Sequence, residues 1–315
     1  MIHLSGRRPV SAKASRVFLV SCFLLAVCPV LSMAPPDAAP LKVAATIFPL
    51  YDLVRQVAGP SVDVTLLVPP GASPHTFTVR PGTVRALAGC AAVFTIGHGL
   101  DTWITRLARE VGISRTIVTD TGIPLRKGAQ AHQHTGHTHR AQTASESVDP
   151  HYWLTIPNAS LMVQTIATAL GELDPSAATA YQQRALAYQE QLRGVDADIR
   201  RVLADLPRRD IATFHMAFAY FAEAYGLNVV AVFEPAPGKE PSPRYVEAFQ
   251  RQVRAHKLRV VFVEPQLSET ALRGLTKDLG ITLRPLNPEG GMPGADSYIA
   301  LMQYNATQIA AALRE

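Results

Sequence analysis

From Leu41 onward, short β-type runs alternate with helical stretches, and one longer helical stretch divides the series in two. The runs "KVAATI" (42–47), "VDVTLLV" (62–68), "AAVFTIG" (91–97) and "RTIVT" (115–119) read as strands. Residues 50–58, 81–89 and 101–111 read as the helices between them, with Pro81 opening and Gly89 closing the second. Parallel strands need such crossovers, so the alternation predicts parallel sheets covered by helices. A helix at 158–173 leads to residues 174–206, rich in Ala, Gln, Leu and Arg with apolar spacing near 3.6. A helix of about thirty residues spans some 45 Å, longer than one layer requires, and is read as a rigid connector. Strands at 210–214, 228–233, 259–264 and 281–286 follow, interleaved with helices at 217–225, 243–256, 268–279 and 295–313. The expected fold is α/β. An N-terminal lobe (41–173) and a C-terminal lobe (207–315) flank the long helix, with a ligand crevice at the carboxyl ends of the strands.

Between Gly122 and Val148 the rhythm stops, and Gly, Gln, Thr, Ser and His replace any apolar period. This loop carries His132, His134, His137 and His139, four of the ten histidines in the chain. Their density draws attention, but a long loop without secondary structure lacks the rigidity a tight site requires.

Three other histidines share a more informative context. His75 lies in "VPPGASPHTF" after the strand at 62–68, His151 in "DPHYWL" where the long loop returns to structure, and His215 in "FHMAF" at the end of the strand at 210–214. Parallel strands that point the same way gather distant residues at one edge, so the three can meet across the lobe boundary. A single turn histidine is often only hydrogen-bonded. Three at strand ends form a candidate set of neutral imidazole ligands, which suits Zn2+, whereas oxygen-rich sets suit Mn2+, Mg2+ or Ca2+.

The stretches around these residues, "VPPGASPHTFTVRPGTVRALAGCAAVFTIGHGLDTWI" (68–104), "DPHYWLTIPNA" (149–159), "FHMAFAYFAEAYGL" (214–227), "PSPRYVEAF" (241–249), "VVFVEPQLSE" (260–269) and "YIALMQYNATQIAAAL" (298–313), closely resemble the zinc and manganese solute-binding proteins of ABC importers, the ZnuA- and TroA-like group. The likeness runs in order over nearly the whole chain after its leader. It implies two α/β lobes joined by one long helix, a metal ion between them, and delivery to a membrane permease driven by a cytoplasmic ATPase. It carries the metal ligands onto His75, His151 and His215. Manganese-preferring branches often have a carboxylate at the third position, so His215 tilts the expectation to Zn2+, with Mn2+ the alternative. Where many relatives have Asp in a "DPLG" segment, this chain has Asn287 in "LNPEGG". The fourth position is thus open between water, Asn287, Asp296 and Glu264. Glu264 and Asp149 also read as groups that orient an imidazole, or as caps. His98 stands where relatives carry a small or amide residue, and is expected to be a hydrogen-bonded turn residue. Tyr51, Phe77, Trp103 and Trp153 are assigned to packing. His-rich loops occur at the same place in zinc-specific relatives, which makes His132, His134, His137 and His139 candidates for gathering Zn2+ weakly and passing it on.

The N-terminus bounds the compartment. Arg7, Arg8, Lys13 and Arg16 precede the apolar run "VFLVSCFLLAVCPVL" (17–31) and small residues, the pattern of an export signal over about residues 1–34. The expected location is the periplasm. "LVSC" (19–22) has the form of a lipoprotein signal, but the apolar run continues past Cys22. Of the formal charge of +5, four positives lie in this leader, so the basic balance argues for neither nucleic acid nor membrane binding. Cys22 and Cys28 leave with the leader, and Cys90 alone cannot form an internal disulfide. The protein is expected to act as a monomer. A zinc hydrolase would need a general base beside a metal-bound water, and no HExxH or comparable pairing occurs, so an enzyme is not expected. A metal-binding adhesin is a further alternative that rests on relatives alone.

Overall fold

A computed structural model describes residues 40–128, 148–234, 236, 238–266 and 270–315. The leader and His132, His134, His137 and His139 lie outside the described residues. Residues Pro40–Glu315 form one compact unit.

The first sheet contains β1 (Leu41–Ala45), β2 (Val62–Leu66), β3 (Ala92–Thr95) and β4 (Arg115–Val118), all parallel, in the order β2-β1-β3-β4. The second repeats that topology with β5 (Asp210–Thr213), β6 (Asn228–Val232), β7 (Val260–Val263) and β8 (Thr282–Pro285), in the order β6-β5-β7-β8. The strands lie within a few residues of their predicted positions. Central strands such as β1 and β7 are almost wholly apolar because helices cover both faces.

Alternate side chains of these strands enter different cores. Val43 and Ala45 of β1, Ile211 of β5 and Val260 and Phe262 of β7 join one large cluster. Ala44 packs instead with Leu87, Val93 and Ile104, while Ala212, Val261 and Val263 pack with Phe233, Phe249 and Leu272. The two lobes therefore share one core, and each keeps a smaller one on its outer side. Between the sheets stand α1 (Phe48–Ala58), α4 (Ile156–Leu173), α5 (Ala178–Val202) and α9 (Tyr298–Arg314). The outer helices are α2 (Pro81–Ala86), α3 (Trp103–Glu110), α7 (Pro243–Ala255) and α8 (Thr270–Leu279); α6 (Ala219–Tyr225) follows His215.

The long helix is present but shorter than expected. It begins only at Ala178, after a 3-10 turn at Pro175–Ala177, and ends at Val202 before Pro207 can be reached. Its 25 residues span about 37 Å. Tyr181, Ala185, Tyr188, Leu192, Val195 and Ile199 recur every three or four residues and are all buried, so one stripe faces the shared core. Each large apolar side chain buried in this way contributes about 1.5–3 kcal/mol.

Buried hydrogen bonds fasten the lobes to each other near the 288–291 loop. Trp153 Nε1 donates to Pro288 O at 2.8 Å, Tyr298 OH to Trp153 O at 2.6 Å, and Tyr298 N to Asp52 Oδ2 at 2.8 Å. At Gly291, with φ +75°, an added Cβ would come within 2.8 Å of Pro70. The 288–291 loop thus lies directly on the N-terminal lobe, and glycine allows both the conformation and the approach. These contacts oppose a wide hinge opening. Among the described residues no helix is long and apolar enough to cross a membrane.

Candidate metal centre

Each candidate histidine is placed by a different local device. His75 occupies a 3-10 turn, Pro74–Thr76, beyond β2, whose pairing with β1 continues through Leu67 N to Ala45 O and Val68 N to Thr46 O. His151 precedes the 3-10 turn Tyr152–Leu154 and is four residues ahead of Thr155, whose side chain caps α4 by accepting from Asn158 N. Tyr152 beneath it is tied to Ile96 O at 3.0 Å. His215 follows Phe214, which donates from its N–H to Phe262 O and accepts from Glu234 N at its carbonyl. This is the boundary between β5 and β7, where the strand order of the second sheet reverses and α/β folds hold ligands.

Among the described residues, His75, His151 and His215 form a group whose ligand atoms all lie within 4.8 Å of one another. Nε2 of His151 is 3.1 Å from Nε2 of His75 and 3.3 Å from Nε2 of His215. Two nitrogens bound to one zinc ion at 2.0–2.1 Å and a tetrahedral angle are about 3.3 Å apart, so the spacing fits a shared ion. The opposite ring edges are also engaged. His151 Nδ1 donates to Asp149 Oδ1 at 2.8 Å, and His215 Nδ1 donates to Glu264 Oε1. A proton held on Nδ1 leaves the Nε2 lone pair free for a ligand bond.

The electrostatics differ among the rings. Burial, then the neighbouring His151 and His215, push the His75 imidazole down to about 2. For His215, burial disfavours the charged ring, but Glu264, with Glu234 and Asp149 behind it, outweighs burial and holds the pKa above the usual value.

Other candidates occupy definite places. Asp149 and Glu264 are buried and hold ring nitrogens; Glu264 also accepts from Gln266 Nε2 at 3.1 Å. Asn287 is buried, but its Oδ1 accepts from Glu289 N and Gly290 N, each at 2.9 Å, and its backbone is bonded twice to the Asn305 amide. That carbonyl is committed to a turn, which removes Asn287 as a free donor. Asp296 is exposed at the approach to α9, beside Asp52 rather than the histidines. His98 has φ +51° and pairs with Asp120 at 2.8 Å, as expected of a hydrogen-bonded turn residue. Phe77 stacks on Trp103 with centroids 4.9 Å apart, Tyr51 packs against the shared core, and Trp153 joins the lobes.

Glu234 and Glu289 are buried carboxylates that the sequence reading did not mark. Glu234 follows β6, and Glu289 lies in the 288–291 loop. Burial, then Glu264 and Asp101, raise the Glu289 carboxyl to about 8. Their only sequence signal was a Glu inside or just after an apolar or Pro/Gly-rich stretch at a strand end.

Residues 43–312 match the family model described as ZnuA, zinc-uptake complex component A, periplasmic. The chain belongs to this family. It is 25% identical over 280 residues to the zinc-binding protein AdcA of Streptococcus pyogenes serotype M6, covering 84% of this chain and 54% of AdcA, so it spans about half the length of that relative. The manganese-binding lipoprotein MntA of Halalkalibacterium halodurans is 27% identical over 290 residues, with 89% of this chain and 90% of MntA covered. A crystal structure of ZnuA superposes with a TM-score of 0.77 at 27% identity, over 87% of this chain and 99% of that one. The solute-binding protein FpvC of Pseudomonas aeruginosa, solved with Mn2+, gives 0.75 at 29% identity, over 87% and 98%. Fold and family are those of metal-binding solute-binding proteins, not of enzymes.

Proposed function

We propose that this ZnuA-family chain captures Zn2+ in the periplasm on His75, His151 and His215 and delivers it to an ABC-type permease with a cytoplasmic ATPase. The observation that carries the reading is the convergence of three Nε2 atoms, with Nδ1 of two rings held by Asp149 and Glu264. Neutral imidazoles favour Zn2+ over Mn2+, which prefers oxygen-rich donors and stands lower in the affinity series. The zinc-binding relatives and the zinc-uptake family description support this choice. Manganese relatives make Mn2+ the competing cargo.

His151→Ala and His215→Ala should each weaken Zn2+ binding at least about a hundredfold in chelator-competition calorimetry, since each removes one of three strong donors. Unchanged affinity in either variant sinks the site. Tighter binding of Mn2+ than of Zn2+ by the purified protein would make manganese the cargo.

A further inference from the structure

Three imidazoles leave one position of a tetrahedral zinc site open. None of Asn287, Asp296 and Glu264 fills it, because they serve a turn, face solvent and hold His215 respectively. Asp149 is likewise committed, holding His151 Nδ1, which leaves Glu234 and Glu289 as the remaining buried carboxylates near the centre among the described residues.

The two sheets share one topology, so β6 is the counterpart in the second lobe of β2 in the first. The segment after β2 carries His75; the segment after β6 carries Glu234. Glu234 is pinned from two sides. Its N–H donates to Phe214 O at 2.7 Å, setting it beside His215, and its Oε1 accepts from Gly238 N at 3.0 Å. Gly238 in turn lies against Thr76, the neighbour of His75: an added Cβ would meet Thr76 Cγ2 at 2.8 Å, and φ is +78°. The carboxylate therefore stands between the elements that carry His215 and His75. Only 8% of Glu234 is exposed, and its Oε2 is buried with no hydrogen-bond partner among the described residues. Leaving a buried carboxylate oxygen without a partner is costly, and a metal ion is a partner that would satisfy it. Glu289 fits less well, because the charges acting on it are the carboxylates of Glu264 and Asp101 rather than an imidazole.

We infer that Glu234 Oε2 supplies the fourth donor to the metal ion held by His75, His151 and His215, an inference that rests on the three-imidazole reading of the site. Glu234 stands outside the group of donor atoms within 4.8 Å of one another, so the assignment requires its side chain to turn toward the ion on binding. The bond from Gly238 N would keep Oε1 in place as Oε2 turns to the ion. The carboxylate also brings a negative charge to a dication otherwise ligated by neutral donors.

Glu234→Gln keeps an acceptor for Gly238 N and removes only the anionic donor. If Glu234 merely caps its loop, Zn2+ affinity will match the wild type. If it is a ligand, affinity will fall at least about tenfold, with thermal unfolding in chelator unchanged. Co2+ serves as a spectroscopic probe that does not depend on the variant. With Glu234 bound, the visible bands of the Co2+-loaded wild type stay fixed on adding azide, while those of Glu234→Gln shift. A wild-type spectrum that shifts with azide, or a variant that binds Zn2+ as tightly as wild type, overturns the assignment. Loss of binding in His215→Ala alongside either result leaves the three-imidazole site standing and removes Glu234 alone. Unchanged binding in His215→Ala removes the site itself.

Discussion

Glu264 and His215 are joined across neighbouring strand ends, the carboxylate after β7 accepting from the ring nitrogen Nδ1 after β5. The bond turns Nε2 of His215 toward His151, 3.3 Å away. In the proposed site a carboxylate therefore acts through a ligand ring without touching the ion. Glu264→Gln should weaken Zn2+ binding about 10–100-fold, the usual effect of losing a group behind a ligand, and less than His215→Ala does. Competition against a chelator of known affinity measures both. Equal losses would mean that Glu264 does more than orient the ring.

Proton competition should separate two of the histidines. His75 is held at about 2 by burial and its two neighbours, so it carries no proton for a metal to displace at neutral pH. His215 is held above its usual value, so protonation of its Nε2 competes with a metal at higher pH than protonation of His75 does. As pH falls through the folded pKa of His215, Zn2+ affinity should drop by about tenfold per unit, one proton's worth. Calorimetry between about pH 5.5 and 8, in buffers of different ionisation enthalpy, reads both the slope and the proton released. A flat profile with no proton release contradicts this role for His215.

Glu289 should govern the stability of the metal-free protein. Its carboxyl is raised from 4.5 to about 8, first by burial and then by Glu264 and Asp101. The folded state therefore holds this proton more tightly than the unfolded state does. Stability is lost as pH rises from about 4.5 to about 8, by an amount on the order of a few kcal/mol, and no further loss from this group occurs above that. Glu289→Gln should raise the melting temperature in chelator at pH 8.5 and change it little at pH 4. The same shift at both pH values would assign the effect to packing.

Much of this architecture was legible because its signals are local. A parallel strand buried on both faces is an unbroken apolar run, so β1, β3, β5 and β7 stand out between polar helix faces. His75, His151 and His215 were legible as a set because parallel topology sends strand ends to one edge. The shared core could not be read in the same way: it depends on α4, α5 and α9 lying between sheets, a relation among elements far apart in the chain. Asn287 looked like a donor because its amide is chemically able to be one. Its commitment to two backbone N–H groups follows from the turn at Pro288, which only the folded backbone displays. Glu234 and Glu289 were nearly silent for the opposite reason, since a lone Glu is most often solvated and their place beside an apolar or Pro/Gly-rich strand end is a weak signal of burial.

The His-rich stretch should prove separable from the tight site. Lys127 and Val148 form an antiparallel bridge, and Asp149 N donates to Arg126 O at 3.0 Å, so the two ends of the intervening segment are fastened to each other. Tyr220 closes this stem from the second lobe, accepting from Arg126 N at 2.7 Å and donating to Asp149 O at 3.2 Å. Asp149 in turn fixes His151 through both its backbone N–H and its Nδ1. Among the described residues, the stem is what fixes the geometry of His151. Removing residues 132–139 should leave equilibrium Zn2+ affinity within about twofold of wild type while taking away the extra weak binding expected of His132, His134, His137 and His139. Chelator competition gives the first quantity, and the stoichiometry of weak binding at millimolar Zn2+ gives the second. Loss of tight binding on deletion would move the site out of the cleft and into the loop. If the deletion changes neither quantity, the four histidines are solvated side chains with no part in collecting the ion.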